Sequence, residues 1–359
     1  MTSDIFDGLE SLPGTVDGKL LIAGPCSAET EEQVLETAAA LAQGGIKVFR
    51  AGVWKPRTMP GSFEGVGAPA LEWLSKVKSD TGMLTATEVA TAAHVEQALD
   101  AGVDYLWLGA RTVANPFAVQ EIADSIAASG KNPAVLVKNP VSPDIDLWIG
   151  ALQRLYRAGL RKLGAIHRGF TGYAGVGPYR NSPHWSIPYE LRRRLPQLPL
   201  ICDPSHIAGR RELVGEIARR AIGSGFDGLI IECHCSPDKA LSDAAQQLTP
   251  EVLLNLLSTL KPSQKMAPDG SLEEMRQQLD VIDAEITDLL AQRMDLAAQI
   301  GLYKKDRGMT AVQPVRYTEM FDRRVAAGSA KGLGEDFLKA LWSTVHAESV
   351  RRQLDEMNG

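Results

Sequence analysis

The stretch "KVFRAGVWKPRT", residues 47–58, opens as an apolar run and closes in cations. Val48 and Phe49 have the composition of a buried strand. Arg50 ends it, and Lys55 and Arg57 lie in the loop beyond. The same form recurs on both sides. Short Val/Ile/Leu-rich runs read "LLIAGPC", "MLTATEV", "YLWLGA", "AVLVKN", "KLGAIHRG", "PLICDPS" and "GLIIECH". Between them lie Ala-rich amphipathic segments such as "EEQVLETAAALAQGG" and "RELVGEIARRAIGSG", which read as helices closed by glycine. Eight strands alternating with helices over roughly 240 residues predict a (β/α)8 barrel. An open doubly wound sheet is the competing architecture, and it is disfavoured by eight units without a glycine-rich dinucleotide turn.

The whole chain has 359 residues, a formal net charge of −6 and 44% hydrophobic residues. That length suits two domains, or a barrel with a smaller companion. A mildly acidic balance argues against a general nucleic-acid or membrane-surface binder, so local cation clusters are expected to serve small anions. The N-terminus, "MTSDIFDGLE", lacks the basic and apolar regions of a signal peptide. No apolar run approaches the ~18 residues of a membrane span. With four cysteines, Cys26, Cys202, Cys233 and Cys235, the expectation is a cytoplasmic protein with reduced thiols.

The composition changes at "KPSQKMAPDGS", residues 261–271, which is polar with two prolines. The expected division is a barrel over 1–262, a linker over 263–271 and an all-helical domain over 272–359. Ser271 and Glu274 are spaced as a capping box. Leu272, Met275, Leu279, Ile282, Ile286, Leu289, Ala297 and Ile300 follow on helical spacing. They predict one helix on the order of 50 Å long at ~1.5 Å per residue. Two more helices are expected near 315–327 and 334–356. A helix that long cannot fold back on so small a domain, and needs a partner helix, most simply from a second chain.

In a barrel the C-terminal strand ends build the active site. Cys26, Arg50, Glu88, Arg111, Lys138, Arg168, Asp203 with His206, and Glu232 with His234 fall at or after the eight runs in order. One set, Arg50, Lys55, Arg57, Arg111, Lys138 and Arg168, is cationic and suits ligands bearing phosphate and carboxylate. Another, Cys26, His206, Glu232 and Asp243, offers a thiolate, an imidazole and two carboxylates to one divalent ion of the Mn, Fe, Co or Zn kind. No spacing motif links these four, and the alternative is a buried Cys26 with the others in surface ion pairs. Cys233 and Cys235 alternate with Glu232 and His234 and should point out of the barrel. They read as packing residues, as does Cys202.

Seven motifs in order, "AGPCSAE" (23–29), "KPRT" (55–58), "GART" (109–112), "VKNP" (137–140), "HRG" (167–169), "DPSH" (203–206) and "IECH" (231–234), resemble the type I 3-deoxy-D-arabino-heptulosonate 7-phosphate (DAHP) synthases of the β subclass. That family joins phosphoenolpyruvate to erythrose 4-phosphate. The resemblance implies a metal, manganese first with iron, cobalt or zinc as alternatives, on Cys26, His206, Glu232 and Asp243. It implies that Arg111 and Arg168 hold the phosphate of phosphoenolpyruvate, and that Arg50 and Lys138 face its carboxylate. Lys55 would lie between the substrates, with Arg57 and Thr58 on the phosphate of erythrose 4-phosphate. Lys55, Lys138 and His234 enter as catalytic residues and Asp203 as a substrate-binding one. The related octulosonate 8-phosphate synthases carry "KANR" where this chain has "KPRT", which favours the four-carbon sugar. A Schiff-base aldolase built on Lys138 is the competing chemistry, but an enol phosphate has no free ketone to condense with.

From Leu272 to Gln353 the tail resembles the all-α chorismate mutases, three-helix domains that rearrange chorismate to prephenate. The resemblance implies catalytic Arg293, Lys304 and Gln353, with Arg276, Arg316 and Ser349 binding substrate. Where that family usually has a glutamate after its third arginine, this chain has Tyr317. Arg293 and Lys304 lie about 20° from one helical face, whereas Arg276 lies roughly 25 Å back along the axis and about 100° round. Arg276 is therefore expected to serve a pocket on another chain, in an intertwined homodimer. The tail is expected both to catalyse and to sense a late intermediate such as prephenate. The alternative is a phosphosugar synthase or aldolase of other specificity with a dimerising, noncatalytic tail.

Overall fold

The computed structural model describes residues 6–56, 61–171, 178–260, 270–312 and 314–358. Arg57, Thr58 and most of the expected linker, at 261–269, lie outside the described residues, as do the side chains of Ser271 and Glu274. The chain divides into two compact units, residues 1–264 and 265–359.

In the first unit strands and helices alternate from β1 (Leu20–Gly24) through α1 (Glu31–Gln43), β2 (Val48–Arg50), α2 (Ala70–Thr81), β3 (Leu84–Val89), α3 (Ala92–Asp100) and β4 (Tyr105–Leu108). There follow α4 (Ala110–Val113), α5 (Pro116–Ala128), β5 (Ala134–Lys138), α6 (Ile145–Arg157), β6 (Leu163–His167) and α7 (Ser186–Arg194). The unit ends with β7 (Leu200–Cys202), α8 (Pro204–Ala208), α9 (Arg211–Gly223), β8 (Gly228–Glu232) and α10 (Pro250–Thr259). The helix starts obey local chemistry. Thr30 caps α1 by accepting from Gln33 N at 3.1 Å, and Asn115 caps α5 ahead of Pro116.

The eight strands close as a parallel barrel in chain order. Two apolar layers follow from strand alternation. Leu20, Ile22, Val48, Ala86, Trp107, Leu136, Ile166, Ile201 and Ile230 form a compact inner cluster. Their neighbours, including Ala23, Phe49, Leu108, Val137, Cys202 and Cys233, pack outward against the helices. Cys202 and Cys233 are thus packing residues, and all four cysteines are free. The barrel expected from the repeated pattern is the one observed, with two refinements. Glu88 lies inside β3 rather than after it, and Cys26 stands two residues beyond β1.

The second unit contains α11 (Gly270–Lys305), α12 (Pro314–Ser329) and α13 (Glu335–Asn358). The first has 36 residues, which gives it a length on the order of 50 Å. Gly301 lets α13 come close, because a Cβ there would lie 2.8 Å from the Gln353 backbone. Of the eight apolar positions on α11 that mark it as a helix, only Ala297 is buried. Leu279, Ile286 and Leu289 are 59%, 49% and 63% exposed.

Candidate active sites

Strand parity carries the charges to the barrel mouth. Val48 and Arg50, Ala86 and Glu88, Leu136 and Lys138, and Ile230 and Glu232 are pairs two residues apart on their strands. Each pair therefore faces the same way. The apolar members belong to the inner cluster, so the charged members continue that inner row at the C-terminal rim. Arg50 is fully buried, with Nη2 3.3 Å from Glu232 Oε1. Lys138 Nζ lies 3.0 Å from Asp203 Oδ2. Both cations stand over Trp107, at 4.8 and 5.9 Å from a ring centroid, so the indole forms an attractive floor. Arg50 Nε and Nη1 have no hydrogen-bond partner among the described residues. Buried guanidinium N–H groups are costly to leave unmet, and a ligand carboxylate would satisfy them.

Lys55 Nζ donates to the Cys26 carbonyl at 3.0 Å. Burial works against its charge, but Cys26, Glu88 and Glu232 raise its pKa overall. On the opposite side of the mouth, Arg168 Nη1 donates to Asn181 Oδ1 at 3.0 Å, and its backbone N–H donates to Asn139 Oδ1 at 2.7 Å. Burial holds Arg168 down to about 10, opposed by Asp203 and reinforced by Arg180 and Arg111. Mutual repulsion among these cations is relieved by an anion placed between them.

The second set converges as well. Cys26 Sγ, a Glu232 oxygen and an Asp243 oxygen all lie within 4.8 Å of one another. Cys26 Sγ is 3.5 Å from Asp243 Oδ2. His206 Nε2 lies 3.7 Å from Glu232 Oε1 and 3.9 Å from Asp243 Oδ2. Its Nδ1 is 2.8 Å from Asp203 Oδ2, close enough for charge attraction but not aligned as a hydrogen bond. Burial and then Glu232 push the Cys26 thiol up to about 12, although Lys55 pulls the other way. Burial would raise Glu232 and Asp243 too, but His206 with Arg50 holds the first down, and His206 with Arg180 the second. A thiol crowded by two carboxylates is stabilised as thiolate by a divalent cation. Thiol, imidazole and two carboxylates form a donor set that fits a borderline metal.

The structure thus brings together Cys26, Arg50, Lys55, Lys138, Asp203, His206, Glu232 and Asp243. Asp203 is fully occupied, since its Oδ1 also accepts from His206 N at 3.1 Å. Arg111 is exposed on the four-residue α4. His234 is buried but engages other partners: Nδ1 accepts from Ser236 N at 2.8 Å, and Nε2 lies 3.8 Å from Glu29 Oε2. Reading by strand ends missed Arg180, which pairs with Asp243, and Gln246, which bonds both carboxylates and accepts from Arg180. The available signal was sequence proximity, because Gln246 stands three residues after Asp243.

In the helical unit a cavity of about 500 Å³ is lined by Arg293, Lys304, Arg316, Arg324, Ser349 and Gln353, with Tyr317 and His346. Arg293 Nη1 bonds Ser349 Oγ. Lys304 Nζ donates to Gln353 Oε1 at 2.8 Å. Among the described residues four cations and no carboxylate line this cavity, so it suits a small dianion. Burial lowers the pKa of Arg293 and Lys304, and Arg324 and Arg316 respectively lower them further. Tyr317 packs on His346 with ring centroids 4.1 Å apart. Arg276 does not line the cavity; it is exposed, 3.8 Å from Glu273. Arg324 was legible but unread: Arg316, Met320 and Arg324 fall on one helical face.

Residues 10–268 match the family described as the DAHP synthetase I family, and residues 275–354 match chorismate mutase type II. A phospho-2-dehydro-3-deoxyheptonate aldolase of Thermotoga maritima is 35% identical over 241 residues, 67% of this chain and 68% of that protein. A crystal structure of the DAHP synthase of that organism superposes with a TM-score of 0.60 at 31% identity, covering 74% of this chain and 71% of that one. A 2-dehydro-3-deoxyphosphooctonate aldolase of Nitratidesulfovibrio vulgaris is 28% identical, over 67% of this chain and 90% of its own length.

Proposed function

The chain belongs to the DAHP synthetase I family and carries a type II chorismate mutase unit behind its barrel, and from this we propose how its two activities are divided among its residues. It is a bifunctional enzyme of the shikimate and aromatic amino acid pathway, a DAHP synthase and a chorismate mutase in one polypeptide. In the barrel, Cys26, His206, Glu232 and Asp243 would hold one divalent metal, manganese in the first instance. The observation that carries this is the convergence of Cys26, Glu232 and Asp243 within 4.8 Å beside buried Arg50 and Lys138.

When bound, the metal supplies Lewis acidity toward the aldehyde of erythrose 4-phosphate. The protein's own groups bind and orient. Arg50 and Lys138 take the carboxylate of phosphoenolpyruvate above the Trp107 ring, and Arg111 and Arg168 take its phosphate. Lys55 sits between the substrates, and Arg57 and Thr58 grip the sugar phosphate. Carbon 3 of phosphoenolpyruvate then bonds to the aldehyde carbon, whose oxygen takes up a proton. Water adds at carbon 2 and inorganic phosphate leaves. The buried cations are fixed before substrate arrives, so they stabilise developing charge without reorganising.

In the helical unit, Arg293 and Arg316, with Arg276 from a second copy, would bind the two carboxylates of chorismate. Lys304 and Gln353 would meet the ether oxygen, and Ser349 would orient Arg293. No nucleophile is needed for this rearrangement, only a compact conformer and donors at the breaking bond. The exposed apolar row on α11 supports a homodimer through this unit. The same cavity, occupied by prephenate, would also report pathway flux to the barrel, with coupling reciprocal in binding free energy. Free thiols and the lack of any helix apolar enough to cross a membrane among the described residues agree with a cytoplasmic enzyme.

Chelation tests the barrel assignment. Stripping with EDTA should abolish DAHP formation and leave mutase turnover unchanged, and added Mn²⁺ should restore the loss. Full synthase activity in metal-free protein would overturn it.

A further inference from the structure

The sharpest constraint near the metal cluster is the backbone of Asp243. Its φ is 49°, in the left-handed region that non-glycine residues seldom occupy without support. Gln246 braces this turn, its backbone N–H donating to the Asp243 carbonyl at 3.1 Å. Gln246 is 1% exposed, and its Nε2 donates to Glu232 Oε2 at 2.6 Å and toward Asp243 Oδ2 at 3.4 Å. Its Oε1 accepts from Arg180 Nη1 at 2.8 Å. Arg180 Nη1 is also 3.2 Å from Asp243 Oδ1. One amide and one guanidinium therefore span both carboxylates of the cluster.

The chemistry fixes which way the amide faces. Turned over, its oxygen would meet two carboxylates and its NH₂ a guanidinium, both repulsive. A glutamate at 246 would set a third anion against the two already there. Only a glutamine both separates the carboxylates and receives Arg180. We propose that Gln246, locked by Arg180, is a positioning residue that sets the spacing and angle of Glu232 and Asp243 for the metal. The lock is applied from outside: the Arg180 side chain is 47% exposed, whereas that of Asp243 is 14% exposed. Arg180 thereby acts on metal affinity through Gln246. This rests on the metal reading above and adds to it two residues that touch neither metal nor substrate.

The test is Mn²⁺ binding by the full-length protein, measured by competition with a chromogenic chelator, together with the visible spectrum of the Co²⁺-loaded form. Gln246→Met keeps the volume but removes the amide. Arg180→Met removes the lock from the solvent side, where folding is least at risk. Both variants should bind Mn²⁺ about 10- to 100-fold more weakly than wild type. Both should shift the Co²⁺ ligand-field bands, and Arg180→Lys should recover part of the affinity. Wild-type affinity and an unshifted Co²⁺ spectrum in Arg180→Met would overturn the proposal, whether or not Gln246→Met folds. Failure of wild type to bind Mn²⁺ would instead overturn the metal reading, and this inference with it.

Discussion

His167 shows how one residue ties the site to stability. It ends β6, directly before Arg168, and is completely buried. Trp148, Phe170, Trp185 and Phe226 surround its ring, with centroids 5.4–6.5 Å away. Burial first, then Arg168, lowers its pKa from 6.5 to about 3. The folded state thus holds the ring neutral where the unfolded chain would take a proton. Its contribution to stability is complete above pH 6.5, and is lost progressively as the pH falls toward 3. At about 1.4 kcal/mol per unit, the full loss is on the order of a few kcal/mol. His167→Phe, which keeps an aromatic ring in the box, should flatten the decline in unfolding free energy between pH 6.5 and 4.5. An unchanged decline would show that the ring does not carry the effect.

At the same scale, Arg50 and Lys138 were readable because a charge inside an apolar run of a strand must face either the helices or the barrel mouth. Parity with Val48 and Leu136 decides for the mouth. What could not be read was their pairing. Arg50 with Glu232 and Lys138 with Asp203 join residues 182 and 65 positions apart, and only barrel closure makes them neighbours. Gln246 was missed for a different reason. A glutamine carries no charge to draw attention, and its role depends on Glu232 at the end of β8 and on Arg180, 66 positions away, as well as on neighbouring Asp243.

At the scale of elements, two glycines set how closely chain segments approach. Gly24 on β1 has φ +147°, and a Cβ there would sit 2.0 Å from the Arg50 carbonyl. The C-terminal ends of β1 and β2 can meet at the mouth only with hydrogen at this position. Gly301 plays the corresponding part between α11 and α13. Gly301→Ala should push away the Gln353 backbone and with it the partner of Lys304. Misplacement approaching about 1 Å should lower mutase kcat/KM by up to about 100-fold. DAHP synthase turnover should stay the same, which a paired assay on one preparation would show. Equal losses in both activities would mean that the substitution unfolds more than its own unit. The strands were legible as short continuous apolar runs, and the helices between them by their 3.6-residue period. The one strand of only three residues with charge at its end, β2, was placed by its position in the series rather than by its own pattern.

For the whole molecule, the apolar row on α11 and the isolation of Arg276 make the same demand. Arg276 stands outside the cavity that holds Arg293, Lys304 and Arg316, as its distance along the helix required. If each cavity is completed across a dimer, Arg276→Ala and Arg293→Ala homodimers should both be nearly inactive as mutases. Coexpressed, they should form heterodimers with one intact cavity of two, and regain about a quarter of wild-type mutase activity. No recovery would mean that Arg276 acts within its own chain or not at all. The two compact units, residues 1–264 and 265–359, divide within the polar, two-proline stretch 261–271. The proposed second copy rests on α11 carrying more apolar surface than one chain covers among the described residues.

We propose that Cys26, His206, Glu232 and Asp243, from distant parts of the sequence, hold one metal at the rim of the barrel. Crystals of the full chain grown with Mn²⁺ test it most directly, by anomalous scattering recorded at the manganese edge. A single strong peak per barrel is expected between Cys26 Sγ, His206 Nε2 and the carboxylates of Glu232 and Asp243. A peak bound elsewhere, or none in protein that retains full synthase activity, would contradict it.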